Sequence, residues 1–275
     1  RWFGDVIMSR IEKCFEQLKT DGKKALIPYI TAGDPAPGYT VELMHALVES
    51  GADILEIGMP FSDPMADGPV IQLACERALA AGTNIRKVLE IIAEFRQVNQ
   101  QTPVVLMGYL NPIEFFGYQA FSDAAKEAGV DGILLVDLTP EEATDVVECF
   151  RSNNIDLIYL LSPTTTPARA KKICDLASGY VYYVSVKGVT GSATLDVDNV
   201  ASHVQSLREI TSLPIGVGFG IRDAQTARAV SQCSDGVIVG SVLVNAIAQA
   251  KDSTQDQVAD ALRSILSPMR SEMDK

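Results

Sequence analysis

Short runs of aliphatic and β-branched residues alternate with amphipathic segments along almost the whole chain. Near-continuous apolar strands separated by single helices are typical of a parallel sheet covered on both faces. Eight such units in 275 residues fit one closed (β/α)8 TIM barrel of the α/β class better than an open sheet. The predicted strands are Ala25–Thr31, Asp53–Gly58, Val104–Gly108, Gly132–Val136, Leu157–Leu161, Val181–Val186, Ile215–Val217 and Gly236–Val239.

Helical patterns fill the intervals between these strands. They are Gly38–Ser50, Val70–Ala81, Ile85–Asn99, Ile113–Ala128, Pro140–Asn153, Thr166–Leu176, Asp196–Ile210 and Asp223–Gln232. An extra N-terminal helix is predicted over Met8–Lys19, where apolar residues recur at helical spacing and form one face. We expect this helix to plug the bottom of the barrel.

The charge balance argues against nucleic acid and anionic membranes as partners. The chain has 23 basic and 35 acidic residues, a net charge of −12, and no run of Lys or Arg longer than two. No apolar run approaches the roughly 18 residues of a spanning helix, and the N-terminus lacks a basic region followed by an apolar one. We therefore expect a soluble, cytoplasmic protein. Its five cysteines form no Cys-x-x-Cys pair, which favours reduced cysteines that pack in the interior.

A glutamate stands inside the second predicted strand. Glu56 has the apolar neighbours Ile54, Leu55 and Ile57, which exclude water from the carboxylate and raise its pKa. Residues at the carboxyl ends of barrel strands carry the chemistry in this fold, so Glu56 is a candidate proton carrier. A salt bridge inside the barrel, or an outward side chain against a helix, would also explain it.

The loop after this strand contains further carboxylates. Asp67 lies among Pro and Gly residues, so we expect it to stay hydrated and ionised with an ordinary pKa. Two acids in different environments can divide acid and base roles between them. Asp63 and Asp67 would equally serve as turn residues or helix caps, and a turn is favoured for Asp63 because Pro64 follows it.

Glycines cluster at the ends of the last three predicted strands. Gly188–Ser192 follows the sixth, Gly216–Gly220 ends the seventh, and Gly240-Ser241 ends the eighth and opens the final helix. Glycine lets backbone N–H groups approach an anion, and the loops after strands 7 and 8 are the usual phosphate cradle of such barrels. This pattern predicts a phosphate site, although tight turns would explain each glycine separately.

The sequence lacks the residues that several other kinds of catalysis require. His45 and His203 are the only histidines and both fall in helical patterns, so we predict no metal site. Lys187 is the only lysine placed for a Schiff base, and a solvated lysine or one that lends charge to a phosphate fits it better. No Gly-x-Ser-x-Gly or P-loop pattern occurs.

A segment that starts within the second predicted strand resembles the signature sequence of a known family. It reads Leu55-Glu56-Ile57-Gly58-Met59-Pro60-Phe61-Ser62-Asp63-Pro64-Met65-Ala66-Asp67-Gly68-Pro69-Val70-Ile71-Gln72. The family is that of the tryptophan synthase α subunit, and further matches are Thr31–Pro35, Gly108–Pro112, Gly188–Gly191 and Gly216–Gly220. Because the family usually starts at Met8, we expect residues 1–7 to be a processed extension or a cloning remnant and residues 8–275 to form one TIM-barrel domain.

The resemblance implies a carbon–carbon lyase of L-tryptophan biosynthesis. It would cleave indole-3-glycerol phosphate to indole and glyceraldehyde 3-phosphate by a retro-aldol reaction, with no metal or cofactor in this chain. Glu56 is implied as the general acid/base, and Asp67 as the carboxylate that binds the indole N–H. The other implied substrate contacts are Tyr182, Tyr29, Met107, Leu134, Val136 and Thr190. The implied phosphate contacts are Gly191, Gly220, Gly240 and Ser241.

Three further residues near this site are Tyr183, Lys187 and Arg222. Tyr183 should face the helices, because side chains alternate along a strand and Tyr182 points inward. The roles of Lys187 and Arg222, beside the implied phosphate loops, stay open.

The resemblance also implies a partner. The family works with a pyridoxal-phosphate β subunit in an allosteric α2β2 heterotetramer, and Pro60, Asp63 and Asn111 are implied contact positions. A stand-alone indole-releasing lyase is one alternative. A phosphate-binding barrel that acts mainly as an allosteric partner is another.

Overall fold

The computed structural model describes residues 8–185, 196–218 and 220–275. In these residues, eight parallel strands pair in sequence order and β8 pairs with β1, so the sheet closes into a barrel. The strands are β1 Ala25–Thr31, β2 Leu55–Gly58, β3 Val104–Gly108, β4 Gly132–Leu135, β5 Asp156–Leu161, β6 Val181–Val184, β7 Ile215–Gly218 and β8 Gly236–Val239. The predicted TIM barrel is confirmed.

Helices surround the barrel. They are α1 Arg10–Thr20, α2 Thr40–Glu49, α3 Pro69–Ala80, α4 Ile85–Arg96, α5 Leu110–Phe116, α6 Tyr118–Ala128, α7 Thr144–Ser152, α8 Pro167–Leu176, α9 Val197–Arg208, α10 Ala224–Ser231, α11 Ser241–Gln249 and α12 Gln255–Met273. No helix in the described part of the chain is long and apolar enough to cross a membrane.

The helices differ from the predicted patterns in a few places. The helix predicted over Ile113–Ala128 is broken at Gly117, whose φ of +94° ends α5 and turns the chain into α6. The helix that Ser241 opens is not the final one, because α12 follows it and packs against α2 and α10.

The N-terminal helix lies at the bottom of the barrel, as predicted. Ile11, Phe15 and Leu18 of α1 are buried in one cluster with inward-facing residues of the strands. The other buried residues of this cluster lie in the strands or directly before them, and they are Ala25, Ile27, Ile54, Val105, Leu134, Ile158, Tyr180 and Ile238. The apolar face of α1 therefore closes the end of the barrel opposite to the carboxyl ends of the strands.

An aspartate before β4 ties neighbouring strands together at this lower end. The Asp131 carboxylate accepts the Val104 backbone N–H at 2.8 Å and the Arg96 guanidinium at 2.6 Å. Asp53, before β2, repeats the arrangement with Leu26 N–H and Arg270. Asp235, before β8, repeats it with the backbone N–H of Ile215 and with Arg208. In all three places, an aspartate just before a strand accepts a backbone N–H of the preceding strand and pairs with an arginine.

Candidate active site

Glu56 points into the barrel from β2. Its neighbours Leu55 and Ile57 belong to the layer between sheet and helices, whereas Ile54 belongs to the interior cluster, so the alternation places Glu56 inside. The side chain is 1% exposed, and its Oε1 has no hydrogen-bond partner among the described residues. Neither the salt bridge nor the outward orientation that the sequence left open occurs in the described structure.

The environment of Glu56 favours its neutral form. Loss of hydration raises the pKa of this carboxyl from 4.5 to about 8. Tyrosines Tyr29, Tyr180 and Tyr182 are close enough for their own pKa values to be raised, after burial, by the charge of Glu56. A carboxyl that titrates near neutral pH can both give and accept a proton.

Glycines at strand ends make room for tyrosine side chains above Glu56. A Cβ on Gly58 would overlap the hydroxyl group of Tyr29, and a Cβ on Gly218 would overlap that of Tyr182. Each glycine therefore lets a large ring occupy the mouth of the barrel. The Tyr29 hydroxyl also lies 3.1 Å from the Thr31 hydroxyl, which is buried.

The neighbouring tyrosines of β6 face opposite sides of the sheet. Tyr182 packs on the interior cluster, and its pKa is raised by burial and by the nearby charges of Glu56 and Asp67. Tyr183 lies on the outer face, stacked on His203 of α9 with ring centroids 5.7 Å apart. The strand alternation thus brings Tyr182, and not Tyr183, to the two carboxylates.

An apolar wall continues around the mouth of the barrel. Met107 contacts both the interior cluster that contains Leu134 and a small cluster around Tyr29. Val136 also packs on the interior cluster. Sequence reasoning missed Leu160 of β5 in the first cluster and Val244 of α11 in the second. Leu160 stands two residues after the inward Ile158, and this spacing was the signal that would have identified it.

Asp67 lies in a tight turn between β2 and α3. Its backbone N–H donates to Pro64 O at 3.0 Å, and its backbone carbonyl accepts the side-chain amide of Gln72 at 2.8 Å. Helix α3 is preceded by Gly68 and has no side-chain cap. Asp67 is therefore not the helix cap that the sequence allowed, and its carboxylate is directed elsewhere.

The carboxylate of Asp67 accepts a hydrogen bond from a residue that sequence reasoning missed. The Tyr109 hydroxyl donates to Asp67 Oδ2 at 3.0 Å. Tyr109 follows β3 directly, and its position at a strand's carboxyl end was the available signal. The expectation of an ordinary pKa for Asp67 is wrong: burial raises this pKa, and the Tyr109 hydrogen bond lowers it in part.

The loops after β7 and β8 bring glycine and a helix N-terminus together. Gly220 has a φ of +80°, and Gly240 directly precedes α11, whose first residue is the exposed Ser241. β7 and β8 are paired, so both loops leave the same side of the barrel. The N-terminus of α11 carries partial positive charge. Arg222 is exposed in the same region.

The structure does not describe residues 1–7, Lys187, Thr190 and Gly191, for which the sequence made predictions.

The two histidines lie in helices. His45 is in α2 against Phe95, and His203 is in α9. Within residues 8–185, 196–218 and 220–275, no group of three or more His, Cys, Asp or Glu side chains is arranged to hold a metal ion.

The carboxyl ends of the strands thus collect a buried acid, a second acid in the adjoining loop and a tyrosine-lined apolar mouth. The fold and this site define an enzyme of the (β/α)8-barrel class. The chain belongs to the tryptophan synthase alpha chain family, since residues 15–273 match the family described as "Tryptophan synthase alpha chain".

Individual relatives are similar to this chain in sequence or structure over nearly its full length. The tryptophan synthase alpha chain of Marinobacter nauticus is 62% identical over 267 residues, which are 97% of this chain and 98% of the relative. The crystal structure of tryptophan synthase subunit alpha from Legionella pneumophila superposes with a TM-score of 0.90 at 47% identity, covering 97% of this chain and 99% of the other. A chain of Mycobacterium tuberculosis tryptophan synthase superposes with a TM-score of 0.86 at 33% identity, covering 96% and 98%.

Membership confirms the family that the sequence motif predicts. The chain is the lyase of the α reaction of tryptophan biosynthesis, which cleaves indole-3-glycerol phosphate.

Proposed function

We propose that Glu56 performs the proton transfers of this cleavage. The protonated carboxyl donates to C3 of the indole ring, which turns the ring into an electron sink. The resulting carboxylate then accepts the proton of the side-chain hydroxyl, the carbon–carbon bond breaks, and indole and glyceraldehyde 3-phosphate separate. The observation that carries this proposal is the buried, unpaired Glu56 Oε1, whose carboxyl has a pKa raised by burial to about 8.

Asp67 stabilises the charge that protonation creates. Its ionised carboxylate accepts the indole N–H and faces the ring cation that forms when C3 gains a proton. The hydrogen bond from Tyr109 supports the ionised form. Tyr29, Met107, Leu134, Val136 and Tyr182 line the apolar mouth in which the indole ring lies.

The phosphate group binds at the loops that follow β7 and β8. Gly220, Gly240 and the backbone and hydroxyl of Ser241 are the described residues of this subsite, and the N-terminal end of α11 adds favourable partial charge. Thr190 and Gly191 complete the substrate contacts by family resemblance. Glu56 and the phosphate subsite together select a substrate that carries an indole and a glycerol phosphate.

The partner is a β subunit that holds pyridoxal phosphate, in an α2β2 heterotetramer of the cytoplasm. Exposed apolar side chains support a docking surface at the carboxyl end of the barrel: Phe115 of α5 is 95% exposed and Met65 of the β2 loop is 87% exposed. Asp63 and Asn111 are exposed beside them, whereas Pro60 is buried in the isolated chain. No cofactor is required in this chain for the α reaction.

Indole release by the purified chain tests these assignments. Turnover of indole-3-glycerol phosphate is measured for the wild type, Glu56→Gln and Asp67→Asn, each alone and with a β subunit. We expect slow release alone, faster release with β, and loss of at least a hundredfold in both variants. Glu94→Gln, at an exposed position of α4, is the matched control. Full activity of Glu56→Gln would refute the assignment of the proton carrier.

The same experiment separates the alternatives. Rapid release without β, unchanged on its addition, supports a stand-alone lyase. No release from a folded wild-type chain in either setting, together with binding of glycerol phosphate, supports a phosphate-binding barrel that acts as an allosteric partner.

A further inference from the structure

Tyr109 connects the end of β3 to the loop that carries Asp67. It is 4% exposed and stands between β3 and α5. Its hydroxyl donates to Asp67 Oδ2 and accepts the backbone N–H of Ala66, both at 3.0 Å. One oxygen therefore holds the side chain of Asp67 and the backbone of the preceding residue.

The ring of Tyr109 is held from the outer side. It packs on Phe61 with ring centroids 5.3 Å apart, and both rings line a groove of about 450 Å³ together with Met59 and Pro112. The rigid strand end and this aromatic contact fix the phenol, whereas Asp67 itself lies in a loop.

We propose that Tyr109 is a positioning residue for Asp67, which orients its carboxylate toward the indole N–H and keeps the loop in its productive form. The proposal rests on the role given to Asp67 above and adds the group that makes this role possible. It assigns to Tyr109 no contact with the substrate.

The described surroundings of Asp67 offer its carboxylate a single hydrogen-bond donor, the Tyr109 hydroxyl. In the part of the chain that the structure describes, the other titratable groups that face its carboxylate are Tyr29 from β1, Tyr182 from β6 and Cys75 from α3. Among the described residues, Tyr109 is the only hydrogen-bond donor to the carboxylate, and no cation pairs with it. This one hydrogen bond at 3.0 Å therefore fixes the direction of the carboxylate within the described site.

The hydrogen bond also supports the charge of Asp67. Burial raises the pKa of Asp67, and the bond from Tyr109 opposes this rise because it stabilises the ionised form. Without the phenol, the pKa of Asp67 is higher still. The ionised fraction then falls at a higher pH, and activity that needs the carboxylate is lost on the acid side sooner.

The variants Tyr109→Phe and Tyr183→Phe test the proposal in the full chain. Both remove one buried phenol oxygen, but that of Tyr183 lies on the outer face of β6 and has no partner in the described structure. Indole release is measured from pH 5 to 9 for both variants and the wild type. The pKa of Asp67 is measured separately by carboxyl 13C NMR, with Asp67→Asn to assign the signal.

For Tyr109→Phe we expect kcat/KM about tenfold lower at pH 7, the size of one lost hydrogen bond to a charged group. The loss should lie mainly in kcat, and the acid limb of the profile and the NMR pKa of Asp67 should move to higher pH. Tyr183→Phe should match the wild type in all of these measurements.

An unchanged NMR pKa of Asp67 in Tyr109→Phe overturns the proposal, and so does a raised pKa with unchanged kcat. A wild type that releases no indole refutes the proposed role of Asp67 instead. The NMR titration needs no turnover, so it still decides whether Tyr109 holds the Asp67 carboxylate.

Discussion

Replacing Glu56 by glutamine should make the protein more stable at alkaline pH. Burial raises the pKa of Glu56 from 4.5 to about 8, so the folded chain holds a proton that the unfolded chain releases between these values. Stability therefore falls as pH rises through this window. A tenfold change in an acid constant corresponds to about 1.4 kcal/mol, so the full penalty above pH 8 is about 5 kcal/mol, and it is absent below about pH 4.5. Glutamine has the same shape and no charge, and it avoids the penalty.

Urea unfolding followed by circular dichroism at pH 5, 6, 7, 8 and 9 measures this effect. The free energy of unfolding of Glu56→Gln minus that of the wild type should grow by about 1.4 kcal/mol for each pH unit up to about pH 8 and then level off. Glu94→Gln, at an exposed position of α4, should show no such trend. A difference that stays constant from pH 5 to pH 9 would refute the raised pKa and the argument that Glu56 is dehydrated.

Three further outcomes follow from the packing and the charges. Gly58→Ala introduces a methyl group that overlaps the Tyr29 hydroxyl, so we expect indole release at least tenfold slower and a lower thermal midpoint. Arg96→Met removes one of the two guanidinium groups that, in the described residues, pair with the buried Asp131 carboxylate and leaves Arg10 at 2.7 Å, so we expect a loss of about 1–3 kcal/mol in urea unfolding. Indole release should follow a bell-shaped pH profile, falling near pH 8 as the barrel glutamate loses its proton and on the acid side as the loop aspartate gains one.

Matched changes separate these causes from general damage. Gly38→Ala adds a methyl group where nothing lies within 4 Å, and it should leave release unchanged. Lys87→Met breaks an exposed pair with Glu90 and should cost less than about 1 kcal/mol. If Gly38→Ala slows indole release as much as Gly58→Ala, the overlap argument for Gly58 is wrong. If Lys87→Met costs as much stability as Arg96→Met, the argument from the buried Asp131 pair is wrong. A pH profile without an alkaline limb contradicts the assignment of the proton donor.

Local patterns predicted much of the architecture because they depend on near neighbours in the chain. The alternation of side chains separates Tyr182 from Tyr183, and the structure places them on opposite faces of β6. The apolar spacing of Ile11 and its neighbours predicts the face of α1 that closes the barrel. The break at Gly117 was missed, because the helical pattern continues across it and only the backbone turn ends α5.

The candidate site was less accessible to sequence reasoning where its parts come from distant segments. Tyr109 and Asp67 are 42 residues apart in the chain, and no spacing rule joins them. The ordinary pKa expected for Asp67 was wrong for the same reason: loop composition suggested hydration, whereas packing half-buries the carboxylate.

By itself, the sequence determined the order and type of most secondary-structure elements, the family motif and the presence of a carboxylate in a dehydrating strand. These properties depend on periodicity and on adjacent residues. Only the tertiary structure decided that Glu56 faces the barrel interior without an ion pair in the described residues, that Gly58 and Gly218 admit tyrosine rings beside it, and which donor Asp67 meets. Burial and hydrogen bonding join segments far apart in the chain, so they exist only after the barrel has closed.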